Sequence, residues 1–329
     1  MQNPVRIQNQ TPTPESELTM QYLRLTLGGL TLAVSIMTAN AQTGQRSWIH
    51  PNGMRTKAAE PQWQTAPVTG PNLHYQTFDS KTAGTKVSYL VYLPPTYEQS
   101  PAKRFPVVFW LHGIGGSQQG VPRFCERLTA AITRKKAPPM IVVFVNGMID
   151  SFYCDAIQVR RPVETVIIQE LIPHIDATYR TCATRAGRMM EGFSMGGFGA
   201  GHLGFKYPEL FGSVSMMDAA LVDIHVMQGR HADVFRRVFD GKEALFAAAH
   251  PLDLVAKNKA QIQGNMLIRQ VVGQLVGPNA TFHEELVRLN IAHEYTPIEG
   301  IGHNMLGLYE KLGDKNWFFY TQAFRLTQP

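Results

Sequence analysis

Two uninterrupted apolar runs set the first limit on the fold: FPVVFWLHG at 105–113 and PMIVVFVNG at 139–147. A strand with one wet face alternates apolar and polar residues. A strand covered on both faces does not, and such strands belong to parallel sheets packed between helices. The stretch KVSYLVYLP at 86–94 does alternate, and reads as a strand of the same sheet. Further strands are expected at 187–194, 211–218, 266–273 and 293–300. Apolar residues recur at helical spacing in PVETVIIQELIPHIDATY at 162–179, and helices are expected over 241–258, 279–290 and 304–325. The alternation predicts an α/β domain: a mostly parallel central sheet with helices on both faces. In such sheets chemistry gathers at the carboxyl ends of the strands.

The chain has 329 residues, 44% of them hydrophobic, enough for one large core. We assign 73–329 to a single catalytic domain and 42–72, polar and rich in Pro and Gly, to a flexible lead-in. From Met20 the chain reads MQYLRLTLGGLTLAVSIMTANAQ. Arg24, the apolar stretch Leu25–Met37 and the exit Ala39-Asn40-Ala41 form the layout of a secretory signal peptide, cleaved before Gln42. Residues 1–41 are therefore read as leader and signal, with Met20 as the true start, and the mature protein as secreted or periplasmic. The apolar stretch falls short of the ~20 residues a membrane span needs, so no stable membrane anchor is expected after cleavage. The net charge of +6 comes from 31 basic and 25 acidic residues with no large basic block, which argues against a nucleic-acid partner. An exported chain with Cys125, Cys154 and Cys182 is expected to form one disulfide and leave one thiol. Their spacing does not suit a metal, and none is expected.

The strand-like GRMMEGFS leads into Gly192-Phe193-Ser194-Met195-Gly196, and a helix-like segment follows. G-x-S-x-G in this setting is a tight strand-to-helix turn that lifts a serine hydroxyl above the sheet. Such a serine needs a base, because its hydroxyl does not ionise at neutral pH. His303, in the glycine-rich GIGHN after the last strand, has the right place in the chain order. A tetrahedral intermediate needs N–H donors for its oxyanion. The N–H of Met195, next to the serine, is one; the N–H of Ile114, in His112-Gly113-Ile114-Gly115-Gly116, is the second. That loop also brings His112 and Gly113 to the substrate.

WLHGIGGS, SFYCD, ELIPHIDATYRT, GFSMGGFGAGHLGFKYPELFGSVS, FHEELVRLNIAHEY and GIGHN together resemble the esterase branch of the α/β-hydrolases. That branch holds the carbohydrate esterase family one enzymes (feruloyl and acetylxylan esterases), S-formylglutathione hydrolase and the mycolyltransferases. The resemblance covers about 75–325 and is most specific at the serine motif and the YPELF after it. It implies the α/β-hydrolase fold, Ser194 as nucleophile, His303 as base, Met195 and Ile114 as oxyanion donors, and no cofactor. It also implies that DSFYCD faces the site, with Phe152 and Tyr153 as contacts for an aromatic acyl group.

The acid departs from the pattern. The family usually carries an aspartate just after the seventh strand; this chain reads VVGQLVGPNATFHEEL, with Val276 at that position and no carboxylate between Gly273 and His283. Asp218, after the sixth strand, is our candidate acid, although it equally suits a helix N-cap. Asp223 and Glu299 are alternatives, as is a Ser–His dyad or a polar orienter such as Gln274 or Asn279. The expected function is an exported serine carboxylic-ester hydrolase acting on a small or polysaccharide-linked ester. An acyltransferase and a non-catalytic binding member are the alternatives.

Overall fold

The computed structural model describes residues 62–116, 121–159 and 161–325. The expected signal peptide, the expected start at Met20 and the first part of the lead-in lie outside the described residues. The main sheet has eight strands: β1 (Leu73–Ser80), β2 (Thr85–Tyr92), β3 (Val107–Leu111), β4 (Ile141–Val145), β5 (Arg188–Phe193), β6 (Ser213–Met217), β7 (Leu267–Val272) and β8 (Glu294–Pro297). Their spatial order is β1-β2-β4-β3-β5-β6-β7-β8. β2 runs antiparallel to both β1 and β4, and every pairing from β4 to β8 is parallel. This is the expected α/β architecture, with the addition of β1, whose mixed composition gave no strand signal.

The apolar runs behave as their composition predicts. Every residue of β3 and β4 is buried. Val107, Phe109 and Leu111 enter the core on one side of the sheet, Val108 and Trp110 the core on the other. The predicted helix at 241–258 divides into Glu243–Ala249 and Pro251–Lys257, because Pro251 has no N–H to continue the first. The one at 304–325 divides at Gly313, whose φ of +53° ends Met305–Leu312 before Asp314–Ala323 begins. Among the described residues no helix is long and apolar enough to cross a membrane.

Two expectations change. All three cysteines are free thiols, Cys125 and Cys154 buried inside the domain and Cys182 half-buried, so the expected disulfide is absent. The described end of the lead-in is pinned rather than loose. The Asn146 side chain donates to the carbonyls of Gln62 and Trp63, and Ser88 N–H also donates to Trp63.

Two buried polar clusters brace the region under the strand ends. On β5, Glu191 accepts from Tyr309 at 2.6 Å, Tyr320 at 2.7 Å and Arg269 at 2.9 Å. Arg269 reaches Ser215 on β6 and lies 4.1 Å from the Phe319 ring, while Trp110 donates to Tyr309. These contacts fasten the two C-terminal helices to the sheet. In the second cluster the His202 ring meets Glu164 at 2.7 Å and the Ala249 carbonyl at 2.8 Å. Burial opposes a charge on His202, but Cys154 and Glu164 outweigh it and raise its pKa to about 10. Glu164, against its own burial, is held at about 2 by His202, Lys206 and Tyr207.

Arg269→Met removes one partner of a buried ion pair and is expected to lower the unfolding free energy by about 3–5 kcal/mol, read from urea denaturation. For His202 the folded pKa lies above the ordinary 6.5, so its stabilisation is complete below that pH and fades as pH rises towards about 10. For Glu164 the folded pKa lies below the ordinary 4.5, so its share is complete above that pH and fades as pH falls towards about 2. The stability gap between wild type and His202→Gln should therefore be widest between 4.5 and 6.5 and narrow on both sides, measured by denaturation across pH.

Candidate active site

β5 ends at Phe193 and the helix Met195–Lys206 begins two residues later. The single residue between them, Ser194, has φ +59° and ψ −118°, a backbone conformation an L-residue adopts only under constraint. A β-carbon at Gly192 would stand 2.1 Å from the Gly196 carbonyl oxygen, and one at Gly196 would stand 2.0 Å from the Leu111 oxygen. Both glycines are therefore obligatory. Ser194 N–H donates to Met217 and its carbonyl accepts from Ala220, which fixes the turn against the end of β6.

The serine hydroxyl meets His303 Nε2 at 2.8 Å, and His303 Nδ1 meets Asp218 Oδ2 at 2.5 Å. The Phe193 ring lies against the imidazole with centroids 4.5 Å apart. His303 stands just ahead of Asn304, whose side chain caps the helix Met305–Leu312 through Gly307 N–H. Asp218 is fully buried at the end of β6. Its Oδ1 accepts from the N–H groups of Gly273 and Leu275, each at 2.9 Å, and its Oδ2 from Gln274 at 3.1 Å. Burial pushes against the charge, but His303 and these three amides outweigh it and hold the carboxyl below its ordinary value.

The structure thus brings Ser194, His303 and Asp218 into one hydrogen-bonded line and leaves the other acid candidates out. Asp223, not Asp218, caps a helix, accepting from Val226 N–H. Glu299 is exposed on the turn after β8. Gln274 contributes its backbone N–H, and Asn279 is a buried brace that donates to the carbonyls of Ala219 and Leu275.

Met195 opens its helix, so its N–H has no intrahelical acceptor and points out of the helix start. The glycine loop after β3 closes on Ser194: a β-carbon on Gly113 would lie 3.2 Å from that of Ser194. Ile114 follows, half exposed at 50%. Gly113 therefore lies beside Ser194. His112, Phe152 and Tyr153 do not line it, and their reading as substrate contacts is corrected here. They are 2%, 1% and 0% exposed. Phe152 packs edge-on against Phe198 at 5.2 Å, and Tyr153 donates its hydroxyl to the His112 carbonyl at 2.9 Å. The left-handed backbone of Met148, Phe152 and Tyr153 turns this loop inward. A pair of glycines was the available signal: β-carbons at Gly147 and Gly199 would fall 2.2 and 2.3 Å from Tyr153 ring atoms.

The sequence profile of the family described as "Putative esterase" matches residues 80–321. An esterase of Mycobacterium tuberculosis is 35% identical over 148 residues, 44% of this chain and 32% of that protein. An endo-1,4-beta-xylanase/feruloyl esterase of Xylanibacter ruminicola is 32% identical over 149 residues, 43% of this chain and 20% of that protein. The matched part spans less than a third of the length of either relative. Among solved structures a ferulic acid esterase shares the fold with TM-score 0.65 at 23% identity, over 77% of this chain and 98% of that one. An S-formylglutathione hydrolase from Agrobacterium tumefaciens does so with TM-score 0.62 at 18% identity, over 77% and 95%. With the profile running from β1 to the last helix of an α/β-hydrolase fold, the chain belongs to this esterase family.

Proposed function

We propose that the chain hydrolyses carboxylic esters through an acyl-enzyme on Ser194. The observation that carries this reading is the line from Asp218 through His303 to the Ser194 hydroxyl. Ser194 Oγ attacks the ester carbonyl while His303 Nε2 takes its proton. The imidazolium then carries its charge against Asp218, a carboxylate already held ionised by three amides. The oxyanion of the tetrahedral intermediate lies between the N–H groups of Met195 and Ile114. Its collapse expels the alcohol, which leaves with the proton from His303. Water, deprotonated by the same histidine, then releases the acid and frees the serine.

The substrate in this proposal is a small or polysaccharide-linked ester of the feruloyl or acetylxylan kind, met outside the cytoplasm. The xylanase/feruloyl esterase relative and the ferulic acid esterase fold support that choice. The signal-like layout of residues 20–41 supports the location. The binding-only alternative rested on the missing carboxylate at 276. Asp218 beside His303 supports the catalytic reading over it.

The test is turnover of p-nitrophenyl acetate, butyrate and octanoate beside methyl ferulate. Wild type is expected to turn over, and Ser194→Ala to lose turnover and fluorophosphonate labelling together. Asp218→Asn should lower kcat by about 10⁴-fold, as loss of the triad acid does elsewhere. Asp223→Asn and Glu299→Gln should stay near wild type. An inert, unlabelled wild type, or an Asp218→Asn enzyme of normal rate, would contradict this mechanism.

A further inference from the structure

The buried His112–Tyr153 pair lies directly beneath the loop that carries Ile114. The His112 ring makes two hydrogen bonds of opposite sense. Gly147 N–H reaches its Nε2 at 3.1 Å, and its Nδ1 meets the Gly113 carbonyl oxygen at 2.8 Å. An amide N–H can only donate, so Nε2 is the unprotonated nitrogen and Nδ1 carries the hydrogen. Burial lowers the pKa of His112, which keeps the ring in this neutral form.

The acceptor of that Nδ1–H is the oxygen of the peptide that joins Gly113 to Ile114. A trans peptide is planar, with its C=O and N–H pointing in opposite directions. Turning the Gly113 oxygen inward onto the imidazole therefore turns the Ile114 N–H outward. The next peptides are tied as well, with Gly115 N–H donating to Ile149 at 2.7 Å. From below, Tyr153 donates to the carbonyl of His112, and its ring fills the space between Gly147 and the nucleophile helix at Gly199. One aromatic side chain thus spaces the glycine loop, the loop after β4 and the helix that opens at Met195.

We infer that His112 and Tyr153 are positioning residues of the oxyanion hole: the imidazole aims the Ile114 N–H, and the Tyr153 hydroxyl holds the His112 carbonyl so that the imidazole stays in place. The inference rests on the ester-hydrolase reading and adds to it two residues that touch no substrate.

The two bonds of His112 can be separated by substitution. His112→Asn offers an N–H near the position of Nδ1, whereas His112→Gln offers an oxygen near that of Nε2. Kinetics on p-nitrophenyl acetate are measured with inhibition by a trifluoromethyl ketone, whose serine adduct places an oxyanion in the hole. His112→Gln is expected to lower kcat by about 10²-fold, the scale of losing one oxyanion donor, with KM unchanged and ketone affinity weakened in parallel. His112→Asn is expected to recover most of that loss, and Tyr153→Phe to show the same kcat-only signature to a smaller degree. Nitrogen-15 NMR of wild type should show the His112 ring neutral with its proton on Nδ1.

Equal losses in Asn and Gln that track a lower Tm would overturn the inference, since the ring would then only fill space. So would a rise in KM in place of the fall in kcat, or the opposite tautomer in the NMR spectrum. Wild type that is inert on every ester and unlabelled by fluorophosphonate would sink the hydrolase reading itself, and the positioning role with it. Active wild type with an undisturbed His112→Gln would sink the positioning role alone.

Discussion

The end of β5 has no clearance. The turn at Ser194 sits so close to the end of β3 and to its own following helix that two β-carbons would overlap backbone oxygens. That contact forces Ser194 into its left-handed conformation and brings the start of the next helix over the strand end. Everything chemical in the site follows from this closeness. The same approach that bars side chains at 192 and 196 carries the glycine loop of β3 to within van der Waals distance of the serine. A looser turn would separate Ser194 from that glycine loop.

Around this turn the protein arranges its charge with backbone as much as with side chains. Asp218 sits in the interior, yet it is met by three successive N–H groups and an imidazole. A carboxylate so surrounded keeps its charge without help from any lysine or arginine. The histidine is fixed by the acid on one side and by the Phe193 ring on the other. Below, Glu191 gathers Tyr309 and Tyr320, so the helices that follow the His303 loop are anchored to the strand that carries the serine. Ser194 and His303 are held by different parts of the chain, but by one buried network.

What could be read from the sequence was whatever depended on neighbours in the chain. Continuous apolar runs revealed β3 and β4, and glycines at fixed offsets revealed the turn. The order of residues after the last strand pointed to His303. What could not be read depended on neighbours in space. Asp218 and the amides of 273–275 lie far apart in sequence, and only the pairing of β6 with β7 brings them together. From sequence Asp218 was one candidate among several for that reason. Phe152 and Tyr153 were expected to contact substrate because the family resemblance implies that DSFYCD faces the site. Three residues with positive φ turn them into the core, and no residue type announces that. The cysteines look like a disulfide set by count alone, but the fold places each in separate surroundings.

With Asp218 at the end of β6, the loop after β7 meets that carboxylate through backbone N–H groups. Its side chains are thereby uncoupled from that contact. Gly273 stays fixed, because a β-carbon there would stand 2.6 Å from the Gly302 oxygen. At 274 and 275 the requirement is only that the residue have an N–H, which excludes proline and little else. Gln274 and the half-exposed Val276 lie on this stretch with side chains turned to solvent. Side chains there can change one at a time while the three amides that meet Asp218 stay in place.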